Sequence, residues 1–457
     1  MSIDINPTAH PADHRDGSAT PDVPVSGPVA RIVVGSLAGG LAAALVLTLV
    51  VFAGNTESVI TGSVLIGFGF GWAMLAALTV RYTTRPQRWA AVPGAAMGAT
   101  GLALVLLAPG NGALTSLNWV WPPVVLALSV WMFVQMRRNL TGRGRWLLTP
   151  VIAVLALASV GATYANLTND SDTYAAPGKT FQVNGHRLHL DCRGSGGPTA
   201  VLFNGLGENT ASWARITGPV AEATRVCAYD RAGQGWSEAA DSPQDGITAA
   251  TDLHTLLAAA GEEGPYLLVG HSTGGTYALT YAAEHPEQVA GMVLLDSSSP
   301  EQLTRMPAYP RQYAVMRRGV ALLPTLTRLG LGRMLAPASH LPAPASEQVQ
   351  ALASTPYAAR NGRDELSVIP DVFAQAQGLS SLNDRPLAVL TASENLTTVG
   401  WKGAQDRLAA LSTNHVHRTV DSTHAGVLED KTPAAASVRA ITEVVSAVHA
   451  GTPLETS

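Results

Sequence analysis

The run Tyr266-Leu267-Leu268-Val269-Gly270-His271-Ser272-Thr273-Gly274-Gly275 decides how the second half of this chain is read. Four apolar residues lead into G-x-S-x-G, and Tyr277 to Ala283 continue as a predicted helix. Strand, sharp turn and helix together are the context of a nucleophile elbow. In so tight a turn, side chains two places before and after the serine would collide. Gly270 and Gly274 answer that need, and Ser272 takes a strained backbone that pushes its hydroxyl out above a sheet. G-x-S-x-G alone is a weak pattern in a chain with 44 glycines; the flanking strand and helix give it weight.

Working outward, Thr180–Val183 and Arg187–Asp191 flank Asn184-Gly185, a hairpin signal. Thr199–Phe203 ends at Asn204-Gly205-Leu206-Gly207, and Arg225–Tyr229 ends at Asp230-Arg231-Ala232-Gly233-Gln234-Gly235-Trp236-Ser237. A helix over Ile247–Ala260 precedes the Ser272 strand; Gly291–Leu295, Leu387–Thr391 and His417–Val420 read as later strands. Strands alternating with helices predict an α/β fold, a mostly parallel sheet covered on both faces.

The first half is different in kind. The 457 residues are 47% hydrophobic with a mean hydropathy of +0.17, high for a chain wholly in water. Five apolar stretches, Ile32–Ala53, Val59–Val80, Trp89–Ala108, Leu114–Met136 and Leu147–Ala165, have about the 20 residues needed to cross a bilayer. Pro93 and Pro122-Pro123 interrupt the third and fourth. The connections Gly54–Ser58 and Pro109–Ala113 carry no Lys or Arg, whereas Arg81, Arg85, Arg88 and Arg137, Arg138, Arg143, Arg145 fill the other two. Positive loops stay in the cytoplasm, so everything after about Asn166 is expected outside it. No Asp, Glu, Lys or His is expected at mid-membrane depth, which argues against a transporter. Trp72, Trp89, Trp119, Trp121, Trp131 and Trp146 read as an interfacial belt.

The domain reading follows: a disordered tail over 1–28, an all-α membrane bundle over 29–166, a linker over 167–179, the α/β domain over 180–450 and a tail over 451–457. Residues 1–166 are net +4 and residues 167–457 net −8, so a nucleic-acid partner is not expected. With two cysteines, neither a metal cluster nor a disulfide-rich scaffold is expected, and no cofactor is implied.

From about Phe181 to Val448 the order of motifs resembles the α/β-hydrolase superfamily, nearest to bacterial serine hydrolases of the esterase, lipase and haloperoxidase-like kind. The Asp230–Ser237 segment and the Ser272 turn at their mutual spacing are the specific part. The resemblance implies Ser272 as nucleophile and His424, in Asp421-Ser422-Thr423-His424-Ala425-Gly426, as its base. His415 and His417 read as packing or surface residues and His271 as structural. Two residues compete as the acid: Asp296, after Leu294-Leu295, is favoured, with Glu394 as the alternative. Backbone N–H groups of Thr273 and Leu206 would form the oxyanion hole. Many relatives have His-Gly where this chain has Asn204-Gly205, and Asp230 and Arg231 are expected to hold their loop. Cys192 and Cys227 fall on neighbouring strands in such a fold, either as a disulfide or as two buried thiols. Residues from about 300 to 384, rich in Pro, Leu and Met, occupy the place of the family's helical lid, and an apolar lid suits a small-molecule or lipid-like ester.

The resulting expectation is a membrane-anchored serine hydrolase acting through an acyl-enzyme. The alternatives are an acyltransferase using the same site and a non-catalytic surface protein that binds a ligand under its lid.

Overall fold

The structure is a computed structural model that describes residues 27–167 and 174–455. The tail expected over 1–28 falls almost wholly outside these residues, as do the first part of the expected linker and the last two residues of the chain.

Eight strands form one sheet: β1 (Lys179–Val183), β2 (His186–Arg193), β3 (Ala200–Phe203), β4 (Val226–Asp230), β5 (Tyr266–His271), β6 (Val289–Leu295), β7 (Leu387–Ala392) and β8 (His415–Val420). Their spatial order is β1-β2-β4-β3-β5-β6-β7-β8. β1 and β2, and β2 and β4, run antiparallel; every other neighbouring pair is parallel. The expected hairpin is present, with Val183 opposite His186 and Asn184 and Gly185 both at positive φ, 44° and 96°, as its two-residue turn requires. β3, β4, β5 and β7 are buried at every position, which is why they read as unbroken apolar runs and not as alternating ones. Helices Gly246–Ala260, Thr273–Glu284 and Ile369–Ala376 cover one face, and Ala214–Ala221 and Lys431–Ala450 the other. Cys192 and Cys227 face each other across the β2/β4 pair and are joined as a disulfide.

Before the sheet stands a bundle of apolar helices. Four of them, Val29–Val51, Glu57–Tyr82, Arg88–Leu107 and Arg143–Leu167, are long and apolar enough to cross a membrane. The expected fourth span is broken into Asn111–Leu117 and Trp121–Asn139, bent by 48°. Pro122 and Pro123 stand at the start of the second piece, where their fixed φ and missing N–H suit a helix beginning and not its interior. The outward faces are apolar: Val50, Leu106, Leu107 and Leu157 are all more than two-thirds exposed. The tryptophans divide by burial. Trp72 and Trp89 are buried and meet tilted, and Trp131 packs edge-on against Trp89, with ring centroids 5.8 and 6.4 Å apart, whereas Trp119 and Trp146 stand exposed.

The two parts meet at one end of the bundle. Glu57, at the start of the second helix, is buried against Arg328 from the segment between β6 and β7, with Arg360 3.8 Å away. Thr61 and Thr325 share a hydrogen bond of 2.8 Å. The last helix touches the same segment backbone to backbone: a Cβ on Gly161 would lie 2.8 Å from the Leu329 carbonyl oxygen, and Gly330 packs equally hard on Gly161. The two Arg-free connections lie at this end; the Ser58 hydroxyl donates to the Pro109 carbonyl there, at 2.5 Å.

Candidate active site

β5 ends in a turn whose tightness is measurable. Ser272 has φ 54° and ψ −129°, a region that a residue with a side chain occupies only when its surroundings impose it. The surroundings do so: Ser272 N–H donates to Leu295 O, and its carbonyl accepts from Gly275 N–H at 3.2 Å and Ser298 N–H at 2.9 Å. A Cβ on Gly270 would lie 2.5 Å from the Gly275 Cα, and one on Gly274 would run into the Phe203 carbonyl. Both glycines are therefore required by packing of the following helix against the strands.

Asp296, directly after β6, is fully buried and itself has φ 40°. Its carboxylate gathers four donors. Oδ1 accepts from Ala392 N–H at 3.1 Å and from the Trp401 indole at 3.2 Å, and Oδ2 accepts from the Asn395 amide at 2.6 Å. The fourth is His424, whose Nδ1 lies 2.6 Å from Oδ2. With Nδ1 donating to Asp296, Nε2 of His424 is the nitrogen that presents a lone pair. Neither that nitrogen nor Ser272 Oγ has another hydrogen-bond partner among the described residues. Glu394 lies elsewhere: its carboxylate accepts from the backbone N–H of His424 at 2.9 Å and does not reach the ring.

Thr273 opens the helix after the turn, so its N–H belongs to the unpaired first turn. Leu206 sits in the turn after β3, beside Gly205, whose missing Cβ would come within 2.9 Å of the Ser272 Cβ. Asn204 is fully used in building that turn. Its amide donates to the Tyr229 carbonyl at 2.9 Å and accepts from the Trp213 indole at 2.7 Å. Asp230 accepts from the N–H groups of Thr210 and Trp236, and Arg231 donates to the Asn204 carbonyl at 2.6 Å and to Glu365 at 3.0 Å, as expected of loop-holding residues. His415 and His417 are engaged by Ser412, Asp406 and Thr391 and do not enter the site.

One pairing in the site escapes a reading of the sequence, that of Glu208 with the structural His271. Glu208 curls back onto its own turn, accepting from Gly205 N–H at 2.5 Å, and its other oxygen lies 2.5 Å from His271 Nδ1. His271 is buried, and its Nε2 lies 3.0 Å from the His424 carbonyl oxygen. Burial opposes charge on both, but their mutual attraction and hydrogen bond outweigh it: the His271 pKa is raised and that of Glu208 lowered. No local pattern marks this pair, since Glu208 acquires its partner from a strand 63 residues later. Among the described residues Cys192, Cys227 and Glu262 have metal-ligand spacing, their ligand atoms lying within 4.8 Å of one another. The two sulfurs are bonded to each other, so the group offers no thiolates.

A model of the alpha/beta hydrolase fold family matches residues 198–431, just over half of the chain. An uncharacterized protein of Schizosaccharomyces pombe is 31% identical over 191 residues, 35% of this chain and 35% of that protein. Lipase LipV of Mycobacterium tuberculosis is 38% identical over 110 residues, 24% of this chain and 41% of the lipase. The chain thus spans less than half the length of either relative. Among solved structures, the Cif epoxide hydrolase from Acinetobacter nosocomialis superposes with a TM-score of 0.51 at 16% identity, covering 63% of this chain and 96% of that one, a likeness of fold. Sheet order, the turn at Ser272 and the extent of the family match agree, and the chain belongs to the α/β hydrolase fold family.

Proposed function

We propose that this protein is a membrane-anchored serine hydrolase that cleaves an ester of an apolar acyl group. The observation that carries the reading is the 2.6 Å contact between His424 Nδ1 and Asp296 Oδ2, made beside a serine held at φ 54°. Ser272 attacks the ester carbonyl while His424 Nε2 takes its proton. Asp296 fixes the ring's tautomer and stabilises the imidazolium that forms. The N–H groups of Thr273 and Leu206 receive the oxyanion. His424 returns the proton to the leaving alcohol, and water activated by the same nitrogen releases the acyl group. The open Ser272 and His424 contacts fit an unliganded site, where such hydrogen bonds tighten only around substrate. Likeness to the mycobacterial lipase agrees with ester cleavage.

The helices anchor the domain. The Arg-free connections lie at the end of the bundle that meets the α/β domain, and the arginine-rich ones belong to the other end, which supports an extracytoplasmic domain. A membrane-impermeant fluorophosphonate applied to intact cells tests chemistry and placement together. The native protein is labelled and the Ser272→Ala and His424→Ala variants are not. Labelling only after detergent extraction would reverse the orientation and keep the chemistry; no labelling in either state would leave a ligand-binding protein.

A further inference from the structure

Where the bundle meets the α/β domain there is a cavity of about 800 Å³. Asn111, Asn118, Trp119 and Asn166 line it from the bundle; Glu208, Trp236, Arg328 and Asn361 line it from the α/β domain. It abuts the reaction site, because Glu208 in its wall also holds Gly205 N–H and His271, and Gly205 lies against Ser272. It also lies where the second helix of the bundle begins and the last one ends, the level of lipid headgroups if these helices span a bilayer.

Charge restricts what this cavity receives. Arg328 is paired with Glu57, and Glu208 with His271. Arg333, at the rim, has an interaction of its own. Arg328 and Glu208 are thus compensated by the protein and Arg333 is engaged, so a phosphate or carboxylate would find no uncommitted cation among the described residues. The remaining polar lining is carboxamide and hydroxyl, Asn111, Asn118 and Asn166 beside Thr115, Thr355 and Tyr357, groups that donate and accept at once. Asn118 and Asn166 hold each other, Nδ2 of Asn118 to Oδ1 of Asn166 at 3.2 Å and Nδ2 of Asn166 to the Asn118 carbonyl at 2.8 Å, which fixes their orientation. Asn111 uses only its oxygen, toward Thr115 and Arg328, and its two amide hydrogens have no partner among the described residues. Beside these amides the Trp119 ring is 60% exposed and stacks on no other ring among the described residues, an open apolar face at the rim. Oriented amides and hydroxyls plus an open aromatic face, with no uncommitted cation, match hydroxyl groups on one side and a C–H face on the other.

We infer that this cavity binds an uncharged polyhydroxylated ring, a glycosyl group, as the part of the substrate that stays outside the acyl site. As a statement about substrate it rests on Ser272 being the nucleophile; as a statement about binding it does not. The glycosyl group arrives either as the headgroup of a lipid in the same membrane or as a free acylated sugar, and both present the same chemistry.

The test uses the full-length Ser272→Ala protein in nanodiscs and reads tryptophan fluorescence and heat of binding. One arm adds a glucosyl diacylglycerol to the disc, a second adds diacylglycerol without sugar, and a third titrates soluble methyl glucoside. Saturable binding to a glucosylated ligand, weakened tenfold or more by Asn111→Ala and by Trp119→Ala, supports the inference. Binding in the lipid arm alone names the headgroup as the source, and binding in the soluble arm alone names the free sugar. Absence of saturable binding in both sugar arms, equal binding of the sugar-free lipid, or binding indifferent to both variants overturns it. Trp119→Ala removes an exposed ring and leaves the fold intact, so loss in that variant reads binding. Fluorophosphonate labelling of the native protein runs alongside. Labelling without sugar binding sinks this inference and leaves the hydrolase; sugar binding without labelling does the reverse.

Discussion

The imidazole rings of His271 and His424 lie with centroids 4.6 Å apart at 32°, and His271 Nε2 is 3.0 Å from the carbonyl oxygen of His424 itself. The other nitrogen of His271 faces the Glu208 carboxylate, so both ring nitrogens meet acceptors. Only the imidazolium donates twice. One cation thus ties together the loop of the base, the strand end before the nucleophile and the turn that carries Leu206.

That pair predicts a pH dependence. A raised His271 pKa contributes stability that is complete below the unfolded value near 6.5 and is lost as pH climbs through the folded one. A lowered Glu208 pKa contributes stability present above the unfolded value near 4.5 and lost as pH falls through the folded one. Glu208→Gln should therefore cost about 1.5–3 kcal/mol, most fully between those two values. Melting temperatures of both proteins from pH 4 to pH 10 check this; a difference that stays constant over the whole range contradicts it.

Asp296 and Glu394 are separable by rate. Asp296 holds the ring of His424 and Glu394 only its backbone N–H. Asp296→Asn should lower kcat by roughly 10³–10⁴-fold, as loss of the correct tautomer does. Glu394→Gln, which keeps a hydrogen-bond acceptor, should lower it by less than about tenfold, the loss of a fraction of one charged hydrogen bond. Hydrolysis of a soluble nitrophenyl ester measures both. If the order of the two losses is inverted, Glu394 is the acid.

The Cys192–Cys227 bond closes a loop of 35 residues, for which chain entropy gives about 3–4 kcal/mol. Replacing both cysteines by serine should lower the melting temperature accordingly. The native protein should carry no thiol that reacts with a maleimide until it is unfolded and reduced. Equal stability of the double variant would show that the strands on either side need no covalent tie.

Glu57 is 3% exposed at its side chain and Arg328 10%, so removing one leaves the other charged and buried. Glu57→Ala should cost about 3–5 kcal/mol at the contact between bundle and α/β domain. Limited proteolysis should then cut within 323–335 faster than in the native protein. Unchanged cutting would mean that the Thr61–Thr325 and Gly161–Gly330 contacts hold the segment alone.

What the sequence showed depended on how local the cause was. The Ser272 turn is dictated by two glycines within five residues, and the buried strands by their own apolar runs, so both were legible. The acid was not fixed, because Asp296 and Glu394 each follow a strand and only the meeting of β6 and β7 decides which carboxylate reaches the histidine ring. Glu208, and its pairing with His271, were missed for the same reason. Each of the two residues looks ordinary until a fold brings the two turns together. The inward turn of Trp72, inside the second helix, and of Trp89, at the start of the third, was not legible either, because packing between helices sets it.

The glycine contact between the last helix and the segment after β6 has a mechanical meaning. Gly161 and Gly330 leave no side chain between two backbones, so a shift of one is handed to the other without slack. A helix that spans a bilayer tilts when the hydrocarbon layer thins or thickens. Thr327, Arg328, Gly330 and Gly332, in the segment packed on the last helix, contribute to the cavity wall together with Glu208. If the bundle spans a bilayer as proposed, turnover of one soluble ester in vesicles of graded acyl-chain length should change with thickness, and the membrane would then tune the site it anchors.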